Sequence, residues 1–245
     1  MKNINKIVLI LGASSDIGEY YANYYSNLGY VVVLTYNNSY KEVLNLYTSI
    51  KQKTEVSMYK VSTNIEEEIK NLFKNIIDKY GNIDIVINLV ATYNDNLITE
   101  KNKKDFMNVI DVNIGSAYLI CKYSKIYLNN SLIINMSSTD GIDTYNEYNI
   151  DYAVSKSGII TLNKVMSLID KSNKYLCIAP NWINTRSTRE IDKTFLNNEL
   201  KRIGQTRLIE INELINTISE IINNFESGSC YRIDVKDEKL WTKLI

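Results

Sequence analysis

Lys6-Ile-Val-Leu-Ile-Leu11, then Gly12-Ala-Ser-Ser-Asp-Ile-Gly18, then a helical stretch from Glu19 to Leu28: this segment decides the fold. The first part is a short apolar run rich in β-branched residues, the pattern of a strand, and a glycine-flanked turn separates it from the helix. Glycines at such a turn let the backbone approach a pyrophosphate closely. The helix beyond it offers free N–H groups and the positive end of its dipole to an anion. A plain strand-to-helix turn has the same local pattern, so the remainder of the chain must choose between the two.

Outward from this segment, strand-like runs fall at about 6–11, 30–35, 55–60, 83–88, 131–137, 174–179 and 229–235, with helical stretches such as 64–80 and 100–127 between them. Proline occurs once and glycine nine times in 245 residues, so no Pro/Gly-rich hinge divides the chain. A βαβ series of this kind predicts an α/β protein: one domain over 1–245, a Rossmann-type doubly wound parallel sheet with helices on both faces. Ligands of such sheets lie at the carboxyl ends of the strands, where Gly12, Asn88, Ser138 and Pro180 fall.

The chemistry is carried by Tyr152 and Lys156, with Ser138 one loop upstream, in a chain without histidine. Residues i and i+4 of a helix project from one face, so phenol and ammonium can share a pocket. A free phenol titrates at about 10, too high for ready proton transfer at neutral pH. A fixed cation about 4 Å away contributes on the order of 4 kcal/mol at an effective dielectric of about 20, so Lys156 is expected to lower the Tyr152 pKa. A Tyr-x-x-x-Lys spacing alone also describes ordinary helix surface.

Composition removes other classes. Lys plus Arg and Asp plus Glu both number 28, so no global basic field draws nucleic acid or an acidic membrane. The lysines from Lys101 to Lys104 read as a solvated helix end. No apolar run reaches the ~20 residues of a membrane span, and the start lacks a secretory apolar core, so a cytoplasmic protein is expected. Cys121, Cys177 and Cys230 lack metal-ligand spacing and read as buried thiols, and no metal is expected. Without histidine, Ser-His and Cys-His nucleophile pairs are excluded.

The order of motifs resembles the short-chain dehydrogenase/reductase family over nearly the whole chain. The T-G-x-x-x-G-x-G turn of that family appears as Leu11-Gly-Ala-Ser-Ser-Asp-Ile-Gly18 and its N-N-A-G as Asn88-Leu-Val-Ala91. Its helix asparagine matches Asn113, its serine Ser138, its Y-x-x-x-K Tyr152 to Lys156, and its P-G-x-I-x-T Pro180-Asn-Trp-Ile-Asn-Thr185. The resemblance implies an NAD(P)(H)-dependent oxidoreductase acting on a carbonyl or secondary alcohol. Ser138 would orient the carbonyl and Tyr152 act as general acid/base. Lys156 would tune Tyr152 and bind the nicotinamide ribose, and Asn113 would hold a relay water. It further implies cofactor contacts from Gly12, Ser14, Ser15, Asp16, Ile17 and Gly18 in the turn, from Asn37, Val61, Asn88 and Val90 beside it, and from Pro180, Ile183 and Thr185. For Asn113 the alternative is a helix polar residue satisfied by backbone; for Ser138 it is a strand-end cap.

Departures from the family pattern are specific. Asp16 stands for the middle glycine and is expected to turn away and cap the helix starting at Ile17. Leu89-Val90-Ala91 replaces Asn-Ala-Gly, Asn181 replaces the glycine after Pro180, and Lys60 stands where an aspartate usually meets adenine. The C-terminal Ile233-Asp-Val-Lys-Asp237 lacks the customary Gly-Gly. The absence of an acid in Val33-Leu-Thr-Tyr-Asn-Asn-Ser39 leans toward NADP over NAD, although only Lys41, Ser15, Asn37 and Asn38 are at hand for a 2′-phosphate. Segment 186–205 reads as a substrate lid, with Arg186 and Arg189 either engaging an anionic group or forming plain surface. Motif spacing is nearest to the 3-oxoacyl-carrier-protein reductases, which act on a carrier-linked carbonyl. Reductases of sugars, polyols or secondary-metabolite ketones, and a non-catalytic cofactor-binding protein, are the alternatives. An enoyl reductase of the same fold typically has its tyrosine seven positions before the lysine, where Asn149 stands here. Family members form homodimers or homotetramers through helices matching 100–127 and 152–170, with apolar faces that here include Ile114, Tyr118, Ile159 and Leu162.

Overall fold

A computed structural model describes residues 6–236 and 240–245. Eight strands form one sheet, in the order β3-β2-β1-β4-β5-β6-β7-β8: β1 (Ile7–Leu11), β2 (Val31–Tyr36), β3 (Val56–Lys60), β4 (Ile85–Asn88), β5 (Leu132–Met136), β6 (Lys174–Pro180), β7 (Cys230–Ile233) and β8 (Trp241–Lys243). All adjacent pairs are parallel except β7 with β8. The chain winds outward from β1 to β3, returns, and winds the other way from β4, so the direction reverses between β1 and β4. Open α/β sheets bind ligands at that point.

The alternation of a strand explains why β1 is apolar throughout. Val8 and Ile10 pack on one face with α1 (Asp16–Asn27), α2 (Tyr40–Ile50) and α9 (Ile211–Asn223). Ile7, Leu9 and Leu11 face α3 (Glu66–Tyr80) and α5 (Ser116–Tyr127) on the other. In α3, Ile69, Leu72, Phe73 and Ile76 form one buried stripe at helical spacing, and Glu66, Glu67 and Glu68 complement the dipole in its first turn. Each such buried side chain contributes about 1.5–3 kcal/mol of transfer free energy. The third cluster joins α5 and α6 (Ile150–Ile169) to β6 and β7 through Ala117, Ile159, Cys177, Ala179 and Cys230.

The seven predicted strands are present within a residue or two at most ends. The predicted helix over 100–127 is divided. It begins as α4 (Lys103–Ile110), passes through a π-turn at Asp111–Gly115 and continues as α5. The edge strand β8 and the helix α9, with its Glu210/Glu213 capping box, carry no expectation above. The segment read as a lid folds into α7 (Arg186–Glu190) and α8 (Lys193–Ile203). Asp237 lies outside the described residues. Among the described residues, no helix is long and apolar enough to cross a membrane.

Candidate active site

Gly12 ends β1 with φ +82, the left-handed region that side chains disfavour. A Cβ there would also sit 3.3 Å from the Leu89 carbonyl carbon and 3.4 Å from the Val90 nitrogen. A Cβ on Gly18 would lie 2.7 Å from the Gly12 oxygen. At these two positions the turn has no room for a side chain, and it lies at the switch point between β1 and β4, so it fits a dinucleotide pyrophosphate. Ser15 holds its shape. The Ser15 hydroxyl donates to the Gly12 carbonyl at 2.9 Å and accepts from the Gly18 N–H at 3.1 Å. Ser15 is therefore the N-cap of α1, a correction to the expectation for Asp16. Asp16 is the first helical residue, and its carboxylate accepts from the backbone N–H and the Nε of Arg186.

Ser138 follows β5 and opens a short 3-10 turn, Thr139–Gly141, its hydroxyl accepting from the Asp140 N–H at 3.1 Å. Ser138 lines the same cavity as Tyr152 of α6, and its hydroxyl works against the rise of the Tyr152 pKa. Gly141 makes the approach possible. A Cβ there would lie 2.6 Å from both the Lys156 carbonyl carbon and the Ser157 nitrogen, so the turn rests directly on the α6 backbone. We expect Gly141→Ala to lower unfolding free energy by about 1–3 kcal/mol, read as a reduced urea midpoint, and to displace Ser138 from Tyr152.

Lys156 is 2% exposed; its Nζ donates to the Met136 carbonyl at 2.9 Å and stands 5.3 Å from the Tyr152 ring centroid. The ammonium thus lies against the ring and the end of β5. Burial pulls its pKa down to about 8. The Tyr152 hydroxyl moves the other way from the sequence-based expectation: burial, then the Asp140 charge, raise its pKa, and the Ser138 hydrogen bond only partly opposes them. Tyr152 is therefore a protonated phenol at neutral pH.

Asn113 lies in the π-turn and is fully buried. Its Oδ1 accepts from the Thr92 N–H at 2.7 Å, and its Nδ2 donates to the Thr92 carbonyl and to the Ser155 hydroxyl, both at 2.9 Å. The amide ties the loop after β4 to the turn of α6 between Tyr152 and Lys156. Lys101 does similar work, contrary to the solvated reading. Its side chain is 2% exposed, and Nζ donates to Asp151 at 2.7 Å, to the Asn94 carbonyl at 2.6 Å and to the Tyr148 carbonyl at 3.2 Å. Asp151 is wholly buried immediately before Tyr152.

A cavity of about 520 Å³ opens over the sheet ends. It gathers Ser15, Asp16 and Ile17 from the turn, Ser138, Tyr152 and Lys156, and Pro180, Ile183 and Thr185 from the loop after β6. Thr185 caps α7, accepting from the Thr188 N–H at 3.3 Å. Asn88, Val90 and Asn113 stand behind the wall: Asn88 bonds Asn135 at 3.1 Å and takes the Val90 N–H at 3.2 Å. Asn37 and Val61 sit at the ends of β2 and β3, outside the cavity, and Ser62 donates to Asn37 at 3.4 Å. Lys60 is exposed. Sequence reasoning missed Tyr93, Asp95 and Asp140 on the cavity wall, where the only available signal was the position of Asp140 two residues after Ser138.

The fold and this site define a Rossmann-type oxidoreductase. Residues 12–241 match the family model described as enoyl-(acyl carrier protein) reductase, and the chain belongs to the short-chain dehydrogenase/reductase family. It is 26% identical to the 3-oxoacyl-(acyl-carrier-protein) reductase of Staphylococcus epidermidis over 88% of this chain and 91% of that protein. Against the enzyme of the same name from Thermotoga maritima it is 26% identical over 96% and 98%. Among solved structures it is similar to a dehydrogenase/reductase from Sinorhizobium meliloti 1021, with a TM-score of 0.86, 19% identity and coverage of 96% and 95%. A Burkholderia cenocepacia dehydrogenase with bound NADP gives a TM-score of 0.85, 17% identity and coverage of 94% and 92%.

Proposed function

We propose that the protein is an NADP(H)-preferring cytoplasmic ketone reductase of the 3-oxoacyl-thioester type, a single catalytic domain with residues 186–205 as its substrate lid. One observation carries the catalytic part: Ser138, Tyr152 and Lys156, from two separate elements, meet in one cavity beside the glycine cradle. The 3-oxoacyl assignment is supported by the names of the relatives. Asn149, seven positions before Lys156, argues against enoyl reduction. The preference for NADP rests on the lack of an acidic side chain after β2, where Asn37 and Asn38 are exposed.

Bound NADPH supplies the hydride. Ser138 hydrogen-bonds the carbonyl oxygen of the substrate, and the Tyr152 hydroxyl gives that oxygen its proton. A phenol held protonated suits the reductive direction. Lys156 holds a positive charge beneath the Tyr152 ring, which offsets the phenolate formed as the proton leaves. Asn113 fixes the α6 turn between them; both N–H groups of its amide are already taken by the Thr92 carbonyl and the Ser155 hydroxyl, so its support for the site is positional.

The sign of the pH dependence follows. Lys156 is cationic below about pH 8 and neutral above it. The reductive kcat/KM is therefore expected to be flat below that pH and to fall above it, while Lys156→Arg, which stays charged, moves the fall to higher pH. A profile that is unchanged in Lys156→Arg would remove Lys156 from this role.

Asp95 and Asp140 on the cavity wall favour a second reading, a hydroxyl-rich ketone such as a ketose, because carboxylates accept hydrogen bonds from hydroxyls. The deciding experiment follows NADPH consumption with acetoacetyl thioesters, ketoses and quinones. Preference for the thioester supports the primary reading, and preference for a ketose replaces it with the second. Assembly as a homodimer or homotetramer is supported by exposed apolar residues on α5 and α6: Tyr118, Ile126, Val154, Val165, Leu168 and Ile169. Ile159, expected on that face, is buried in the core.

A further inference from the structure

We propose that Arg186 is a cofactor-binding residue, the cation that compensates for Asp16 and lets a carboxylate replace the middle glycine of the pyrophosphate turn. This rests on the dinucleotide reading above.

The two side chains come from distant parts of the chain and both line the cavity: Asp16 opens α1, and Arg186 opens the segment after Thr185. One carboxylate oxygen of Asp16 accepts from the Arg186 backbone N–H, and the other accepts from its Nε. The Arg186 Nη2 donates to the Ser14 carbonyl at 3.3 Å, so the guanidinium reaches over the turn itself. Among the described residues its Nη1 has no hydrogen-bond partner. Asp16 is mostly covered and Arg186 is more than half exposed, at 14% and 55% side-chain exposure.

A carboxylate at the first helical position lies in the field that the α1 N-terminus offers to an anion. Unpaired, it would repel a pyrophosphate. Paired, its charge is offset, and the planar guanidinium has donors beyond those that Asp16 uses, in a geometry suited to phosphate oxygens. Asp16 then serves as the anchor that fixes Arg186 at the cradle. The pair is specific to this chain's departure from glycine, since a glycine at position 16 would leave Arg186 without its carboxylate partner.

The test is a double-mutant cycle read by nicotinamide fluorescence as dinucleotide Kd, in Arg186→Leu, Asp16→Asn and the double variant, with circular dichroism as a fold control. Arg186→Leu is expected to weaken NADPH binding by about tenfold, and Asp16→Asn in that background to recover most of the loss. Added salt is expected to shrink the Arg186→Leu deficit, because an exposed charge is screened. Binding by Arg186→Leu within about threefold of the parent, no recovery in the double variant, or a salt-independent deficit would overturn the proposal. Those results differ from failure of the dinucleotide reading, in which the parent itself binds neither NADPH nor NADH.

Discussion

Tyr152→Phe is expected to lower kcat for ketone reduction by about 10²- to 10⁴-fold, the usual contribution of a positioned general acid, while dinucleotide affinity stays within about threefold. The substitution removes one oxygen. The ring that packs against the Lys156 ammonium remains, as does the α6 backbone that carries it, so the loss reads the proton donor and not the fold. Ser138 keeps its bond from the Asp140 N–H, which preserves the turn. A variant that reduces ketones at the parental rate would remove Tyr152 from the chemistry.

Lys101→Met is expected to be among the most destabilising single substitutions, at about 3–5 kcal/mol, read as a lower urea midpoint. It strands the Asp151 carboxylate, which is fully buried and whose Oδ2 has no hydrogen-bond partner even with Lys101 in place. It also frees the carbonyls of Asn94 and Tyr148 that the same ammonium holds. Replacing both members, Lys101→Met with Asp151→Leu, is expected to recover part of the loss, because the unpaired buried charge is then gone. A pair worth little would show as a midpoint shift near zero in the single variant. Turnover should fall as well, since Asp151 immediately precedes Tyr152.

Some of this was legible in the chain and some was not, for physical reasons. The β1 run, the glycine turn and α1 are local, and their periodicity and spacing fix strand, cradle and helix without distant partners. The pairing of Tyr152 with Lys156 followed from helical projection, and Ser138 joined them only through motif order. Lys101 was not legible: among Lys, Asn and Asp neighbours it looks solvated, and the carboxylate that buries it lies 50 residues away. The direction of the Tyr152 shift was hidden for a related reason. Spacing brings the ammonium to the phenol's helix face, but it does not report the burial of the phenol, which raises the pKa most, nor the negative charge that Asp140 adds from a turn outside the helix. The cap expected of Asp16 falls to Ser15, and the Asp16 carboxylate instead meets Arg186, a partner 170 residues distant that local sequence does not report. The three thiols are buried, as their apolar neighbours implied.

The cradle, the trio and the Arg186 clasp all presuppose one ligand. Titrating the parent protein with NADPH and NADH, with nicotinamide and tryptophan fluorescence as readouts, tests that directly. Saturable binding, tighter for NADPH, is the predicted result, and no saturable signal from either dinucleotide would contradict it.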